Sequence, residues 1–199
     1  MEIYFVRHGE TGGNVAHRHQ VEHTPLTPEG IVQAHHTAEV VKAYEPTHLL
    51  SSTLVRALET ARIIGEVCDL VPETSPTFIE LMRPDDLYGY HHFSPQSLWF
   101  YVRWYYGQSK GGESYEAVRK RINEAKSHLA TYKEDARIAV VSHSVFINLF
   151  LAHLCDDDPL TVFDAARVFT DILRMKNASV VPLLFDSRTH TGTCNWLRE

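Results

Sequence analysis

The chain has 199 residues, of which 44% are hydrophobic and 22% charged, and carries a formal net charge of -6 at pH 7. A chain this long supports one domain, or one domain with a small cap, burying roughly 70% of its unfolded surface without metal or disulfide. The acidic balance, which no basic block offsets, argues against general nucleic-acid affinity, and no apolar run approaches the ~20 residues of a membrane span.

Taken in order, the chain opens on a strand. Ile3 to Val6 is β-branched and aromatic, too short for a helix, and bounded by Gly9. A strand at the very start leaves no room for a charged and apolar signal peptide. Cys68, Cys155 and Cys194 are odd in number and far apart, a usage that points to a reducing compartment. The expectation is a cytoplasmic protein. Residues 9–26 read as a polar loop. Thr27 is a good N-cap and Pro28 suits the first helical position, so a helix runs to about Tyr44. Thr47 to Ser51 reads as a strand and Thr53 to about Cys68 as a helix, with Leu54, Ala57, Leu58, Ala61 and Ile64 at helical spacing. Pro76 to Leu81 reads as a further strand.

Residues 82–112 break the alternation. Ser94-Pro95 starts a helix to about Tyr106 that is crowded with aromatics, from Trp99 through Trp104 to Tyr106. Glu113 to Tyr132 is amphipathic, with Tyr115, Val118, Ile122, Ala125 and Leu129 on one face. Arg137 to Val141 is a strand, an apolar helix follows to Cys155, and Pro159 to about Met175 is helical. Ala178 to Phe185 and Thr193 to Leu197 read as a closing hairpin with its turn in 186–192. Alternating strands and helices imply right-handed βαβ units. The fold class is α/β: a three-layer α/β/α sandwich around a mostly parallel mixed sheet, one domain over 1–199 with a helical lid insertion at about 82–112.

Chemistry concentrates at strand ends, where parallel α/β sheets present functional side chains. Two strands end in a histidine, at Arg7-His8-Gly9 and Ser142-His143-Ser144, and Arg56 lies one turn into the helix after Ser51-Ser52. If these strands are parallel neighbours, two arginines and two histidines converge on one phosphoryl-binding pocket, with arginine forks matching phosphate oxygens. The helix after His143 aims its positive end there. Adjacent guanidinium charges keep His8 neutral and nucleophilic, so in-line attack forms a phosphohistidine, while Arg7, Arg56 and His143 stabilise the equatorial oxygens. Glu80 is the best-placed general acid and then base, with Glu113 and Asp85 in reserve. The scheme requires no metal and no cofactor.

These residues resemble the histidine phosphatase superfamily, also called phosphoglycerate-mutase-like. Arg7-His8-Gly9-Glu10-Thr11 with Asn14 is similar to its first motif, and Leu26-Thr27-Pro28-Glu29-Gly30 with Gln33-Ala34 to its L-T-x-x-G-x-x-Q-A helix start. Ser51-Ser52 through Arg56-Ala57 and Thr60-Ala61, then Gly111-Gly112-Glu113-Ser114 and Val140-Val141-Ser142-His143, complete the set in the family's order. The resemblance implies that His8 is phosphorylated, that Arg7, Arg56 and His143 form the phosphate pocket, that Asn14 assists them, and that Glu80 donates the proton. Gln20 matches a common loop glutamine. The chain departs from the pattern at Gly13, where an aromatic is frequent, at Val21 and Ser144, where glycine is usual, and at Leu81-Met82-Arg83-Pro84 after Glu80. Ser144 keeps its backbone N–H and adds a hydroxyl to the pocket.

Of the 13 histidines, His17, His19 and His23 share one loop but lack a carboxylate or cysteine at metal-ligand spacing. They read as solvated residues near the pocket mouth, and His35-His36 and His91-His92 as surface residues. The aromatic helix serves either as a substrate-contacting lid or as a homodimer interface, with Arg83, Arg103 and Lys110 supplementing either role. The expected activity is metal-independent hydrolysis of a small phosphorylated metabolite, with no nucleic-acid or membrane partner. A mutase of phosphoglycerate type is the nearest rival, and a non-catalytic phosphate-binding regulatory module is the rival of another class. The short aromatic insertion favours hydrolysis over the mutase, and the intact Arg7, His8, Arg56 and His143 argue against the module.

Overall fold

The computed structural model describes residues 1–108, 110–154 and 158–192. A six-stranded mixed sheet forms its centre, in the order β3-β2-β4-β1-β5-β6. Strand β1 (Glu2–Arg7) and strand β4 (Arg137–Ser142) pair in parallel, with Arg7 opposite Ser142. On the other side of β4 lies β2 (His48–Ser51), also parallel, with Ser51 opposite Val141. This arrangement brings three strand ends, and the residues that follow them, to one edge of the sheet.

Side-chain alternation along the strands builds two cores. Val6, Leu49, Ala139 and Val141 face helix α2 (Pro28–Ala43) and helix α3 (Val55–Cys68), whose small buried residues Ala34, Ala38, Ala57 and Ala61 allow close packing. Ile3, Phe5, Leu50, Ile138 and Val140 face the other way, toward α5 (Tyr115–Leu129) and α6 (Ser144–Ala152). The five residues predicted for the inner face of α5 are all buried. Helix α6 is buried from Ser144 to Leu151, because α7 (Val162–Arg174) packs Val168 and Ile172 into the same core. The result is the three-layer α/β/α arrangement expected, and no helix among the described residues is long and apolar enough to cross a membrane.

Four local expectations are corrected. The loop after β1 holds a one-turn helix, α1 (Gly12–Val15), because Thr11 and Asn14 form a reciprocal capping box. Pro76 to Leu81 is not a strand. The sheet's edge strand is β3 (Glu73–Thr74), paired with β2, and Ser75 then caps a 3-10 turn at Pro76–Phe78. The carbonyls of Thr77, Phe78 and Ile79 accept from Arg121 and Ser142 side chains instead of a neighbouring strand. Glu113 precedes α5 rather than opening it, since its N–H donates to Met82 O at 2.7 Å and Ser114 is the N-cap. In the closing hairpin, β5 (Val180–Asp186) pairs with β6 (Thr191–Gly192), within the segment predicted to be turn. The predicted return strand Thr193 to Leu197 lies outside the described residues, as does Cys155 at the predicted end of α6. The insertion carries helix α4 (Pro95–Tyr105), capped by Ser94, with Phe100 and Trp104 buried and Trp99 and Tyr106 exposed.

Candidate active site

The loop that leaves β1 is fixed by close backbone approach. A Cβ on Gly9 would collide with Gly30 O, and one on Gly30 would collide with Glu10 O. Only glycine at both positions lets the loop lie on the start of α2, where Thr27 Oγ1 donates to Glu10 Oε1 at 2.9 Å and Glu10 N donates to Gln33 Oε1 at 3.0 Å. Those contacts account for the spacing of the two N-terminal motifs. His8, which follows β1, is buried at 3% exposure, and its Nδ1 stands 2.7 Å from Gly9 O. A carbonyl only accepts, so Nδ1 carries the proton and Nε2 keeps its lone pair. Burial, then the Arg56 and Arg7 charges, hold the His8 pKa well below the usual imidazole value.

His143 stands beside it, at the end of the neighbouring strand, with ring centroids 5.1 Å apart. It is fully buried, its Nε2 lies 2.7 Å from Ser52 Oγ, and burial and the same two guanidinium groups also keep it neutral. Arg7 is anchored through Nη1 to Met175 O. Arg56 is anchored through Nη1 to Val21 O at 3.1 Å, and burial lowers its pKa to about 10. Arg7 Nε, Arg56 Nε and His143 Nδ1 are buried and have no hydrogen-bond partner among the described residues. Buried polar groups are normally satisfied, above all charged ones, so this group is built to receive an anion.

Glu80 sits on the irregular segment after the 3-10 turn. Its Oε1 accepts from Leu81 N at 2.9 Å and from Phe146 N, in the first turn of α6, at 3.3 Å. The positive end of α6 therefore holds a carboxylate beside the phosphate pocket, and that carboxylate acts electrostatically on Arg7 and Arg56. Asn14 spends Oδ1 on Thr11 N, at 3.1 Å. Gln20 Oε1 accepts from Thr11 Oγ1 at 2.6 Å and passes so close to Gly13 that any Cβ there would strike its side chain.

Arg7, His8, Asn14, Gln20, Arg56, Glu80 and Ser144 line one cavity of about 340 Å³, and the His143 ring stands 5.1 Å from that of His8. Thus all eight predicted residues come together. The reserve carboxylates do not: both Glu113 oxygens are taken by Arg121, and Asp85 is absent from the lining. Arg18, Arg83, Arg174 and Lys176 also line the cavity, against Glu22 and Glu80, so a strongly cationic pocket sits in an acidic protein. Arg174 and Lys176 went unnoticed in the sequence because the turn after α7 resembles any solvated helix end. The expectations for His19 and His92 are corrected here. His19 is buried, 2.9 Å from Ser97 Oγ, and His92 lines the cavity, their rings 4.7 Å apart. The insertion buries His19 and half-buries His92 by docking on the 17–19 loop through His19 N to Tyr90 O, Gly89 N to His19 O and His92 N to His17 O.

Residues 3–191 match the profile of the histidine phosphatase superfamily (branch 1). The chain belongs to that superfamily. Among relatives of this histidine phosphatase, a Proteus mirabilis protein named probable phosphoglycerate mutase GpmB is 31% identical over 186 residues, covering 90% of this chain and 83% of the relative. The solved mycobacterial glucosyl-3-phosphoglycerate phosphatase, in complex with VO3, superposes with a TM-score of 0.76 at 26% identity, covering 96% and 94% of the two chains. A putative alpha-ribazole-5'-P phosphatase from Escherichia coli K-12 shares the fold, with a TM-score of 0.80 at 23% identity over 97% and 93%.

Proposed function

We propose that this histidine phosphatase is a phosphomonoesterase that passes the phosphoryl group of a small phosphate ester to His8 and then to water. The observation that carries the reading is the Nδ1 bond of His8 to Gly9 O, which leaves a neutral Nε2 lone pair among partnerless Arg7 and Arg56 donors. In the first step Nε2 attacks phosphorus as the phosphorus–oxygen bond to the alcohol breaks, and Glu80, entering the step in its protonated form, gives the departing oxygen its proton. Arg7, Arg56 and Asn14 hold the equatorial oxygens, and neutral His143 offers a further donor. In the second step a water gives its proton to Glu80 and attacks phosphorus. The phosphorus–nitrogen bond then breaks, and inorganic phosphate and neutral His8 are released. This scheme draws its charge stabilisation from the chain's own cations.

Residues 1–199 act in this reading as one unit, with 82–112 as a lid. Its support is that Arg83, Tyr88, His92 and Tyr101, all from the insertion, complete the cavity wall. Transfer to a second alcohol, the reaction class of the relative named a mutase, requires cations that retain a bisphosphate through the step. Of the insertion's Arg83, Arg103 and Lys110, only Arg83 reaches the cavity, but Arg18, Arg174 and Lys176 reach it from elsewhere, so the preference for water rests on the likeness to the solved glucosyl-3-phosphoglycerate phosphatase. Steady-state turnover of an aryl phosphate in EDTA tests the proposal. Phosphate release without added metal or bisphosphate primer is the expected result. A requirement for either one contradicts it.

A further inference from the structure

A second cavity, of about 460 Å³, adjoins the phosphate pocket between α4 and α7. Leu81, Tyr101, Val145, Phe169 and Ile172 line both, so the two spaces meet along one wall of shared side chains, among which the Tyr101 and Phe169 rings lie edge-on at 6.0 Å. Beyond that wall, Leu98, Val102 and Tyr105 from α4 face Val162, Ala165 and Val168 from α7. Three polar atoms of the aromatics around this chamber are already committed. Tyr105 OH donates to Leu160 O at 2.9 Å, Tyr115 OH accepts from Leu160 N at 2.9 Å, and Trp104 Nε1 donates to Glu113 O at 2.9 Å. What remains is a surface that gains only from an apolar occupant. Its volume is that of a site for a drug-sized molecule.

We infer that the chamber holds the alcohol portion of the substrate, which is therefore a phosphate monoester with a long or bulky apolar body. The inference rests on the phosphatase reading and deepens it. A phosphoryl group placed between Arg7 and Arg56 leaves its ester oxygen free to point toward Leu81, Tyr101 and Val145, the direction of the shared wall. Arg83 lines the phosphate pocket and bonds Tyr101, which lines both spaces. Burial opposes its charge, but Tyr101 and Glu80 outweigh that effect and keep it cationic, so the polar end and the apolar end of the site meet along one line of side chains.

Calorimetric titration with ethylphosphonate and octylphosphonate, both inert to hydrolysis and used below micelle formation, tests this without depending on chemistry. Burying one methylene strengthens binding about fourfold, so octylphosphonate is expected to bind at least about 50-fold more tightly, in competition with inorganic phosphate. Ala165→Phe, which fills the chamber's far end, and Leu98→Glu, on its exposed rim, should each reduce that ratio at least about tenfold. Equal affinities for the two phosphonates would overturn the chamber while leaving the phosphate pocket standing. A preference unaffected by both variants, or octylphosphonate binding indifferent to phosphate, would also overturn it. Failure of either phosphonate to bind would remove the phosphate pocket and this inference together.

Discussion

Arg121 grips both carboxylate oxygens of Glu113, at 2.7 and 2.6 Å, and from the same guanidinium donates to Ile79 O at 2.7 Å and Thr77 O at 3.2 Å. Glu113 in turn ties down Met82 through its backbone N–H. Glu80 lies between those anchors, so this buried pair acts as a positioning device for the proposed acid. Removing one partner of a buried pair leaves the other charge uncompensated, which costs about 3–5 kcal/mol. Glu113→Ala should lower unfolding free energy by that amount in urea titration. A change below about 1 kcal/mol would show that the pair holds nothing.

The proton assignment to Glu80 has its own test. An alkyl alcohol leaves as a strong base and needs a proton in the transition state, whereas p-nitrophenolate barely does. General-acid assistance contributes about 10²–10⁴-fold. Glu80→Gln should therefore reduce kcat/KM for an alkyl phosphate at least about 100-fold, and for p-nitrophenyl phosphate far less. Equal losses on both would assign the acid elsewhere.

Acid should unfold this protein through its neutral histidines. Burial, then the Arg83 charge, lowers the pKa of His19 to about 3 and of His92 to about 4, while His8 and His143 lie well below 6.5. Above pH 6.5 neither the folded nor the unfolded chain protonates these rings, so they have no effect on stability. Below it the unfolded chain takes up protons that the fold refuses, and stability falls until the folded pKa values are reached. Urea midpoints should drop steadily from pH 7 to pH 4.5, and His19→Gln should make that slope shallower. An unchanged slope would show that His19 is not among the groups responsible.

Much of the fold was legible because its signals are local. Thr27-Pro28 starts α2, Ser94-Pro95 starts α4, and the Ile3–Val6 and Arg137–Val141 runs form the two paired strands. The convergence of Arg7, His8, Arg56 and His143 was legible for a different reason: strand-end motifs become neighbours once β1, β4 and β2 lie in parallel. What escaped depends on tertiary partners. The apolar pattern at 76–81 looks like a strand, but Arg121 and Ser142 take its carbonyls, and neither is near in sequence. His19 resembles a solvated loop residue until the insertion folds over it, and the reserve role for Glu113 disappears only when Arg121 is seen beside it.

The central claim is the covalent role of His8. Rapid mixing with a phosphorus-labelled ester, followed by a denaturing quench at alkaline pH and peptide mapping, measures it most directly. The account predicts acid-labile, alkali-stable label on the peptide carrying His8, formed and lost at rates that support turnover, and absent in His8→Ala together with nearly all activity. Label on another residue, or unimpaired turnover by His8→Ala, would contradict it.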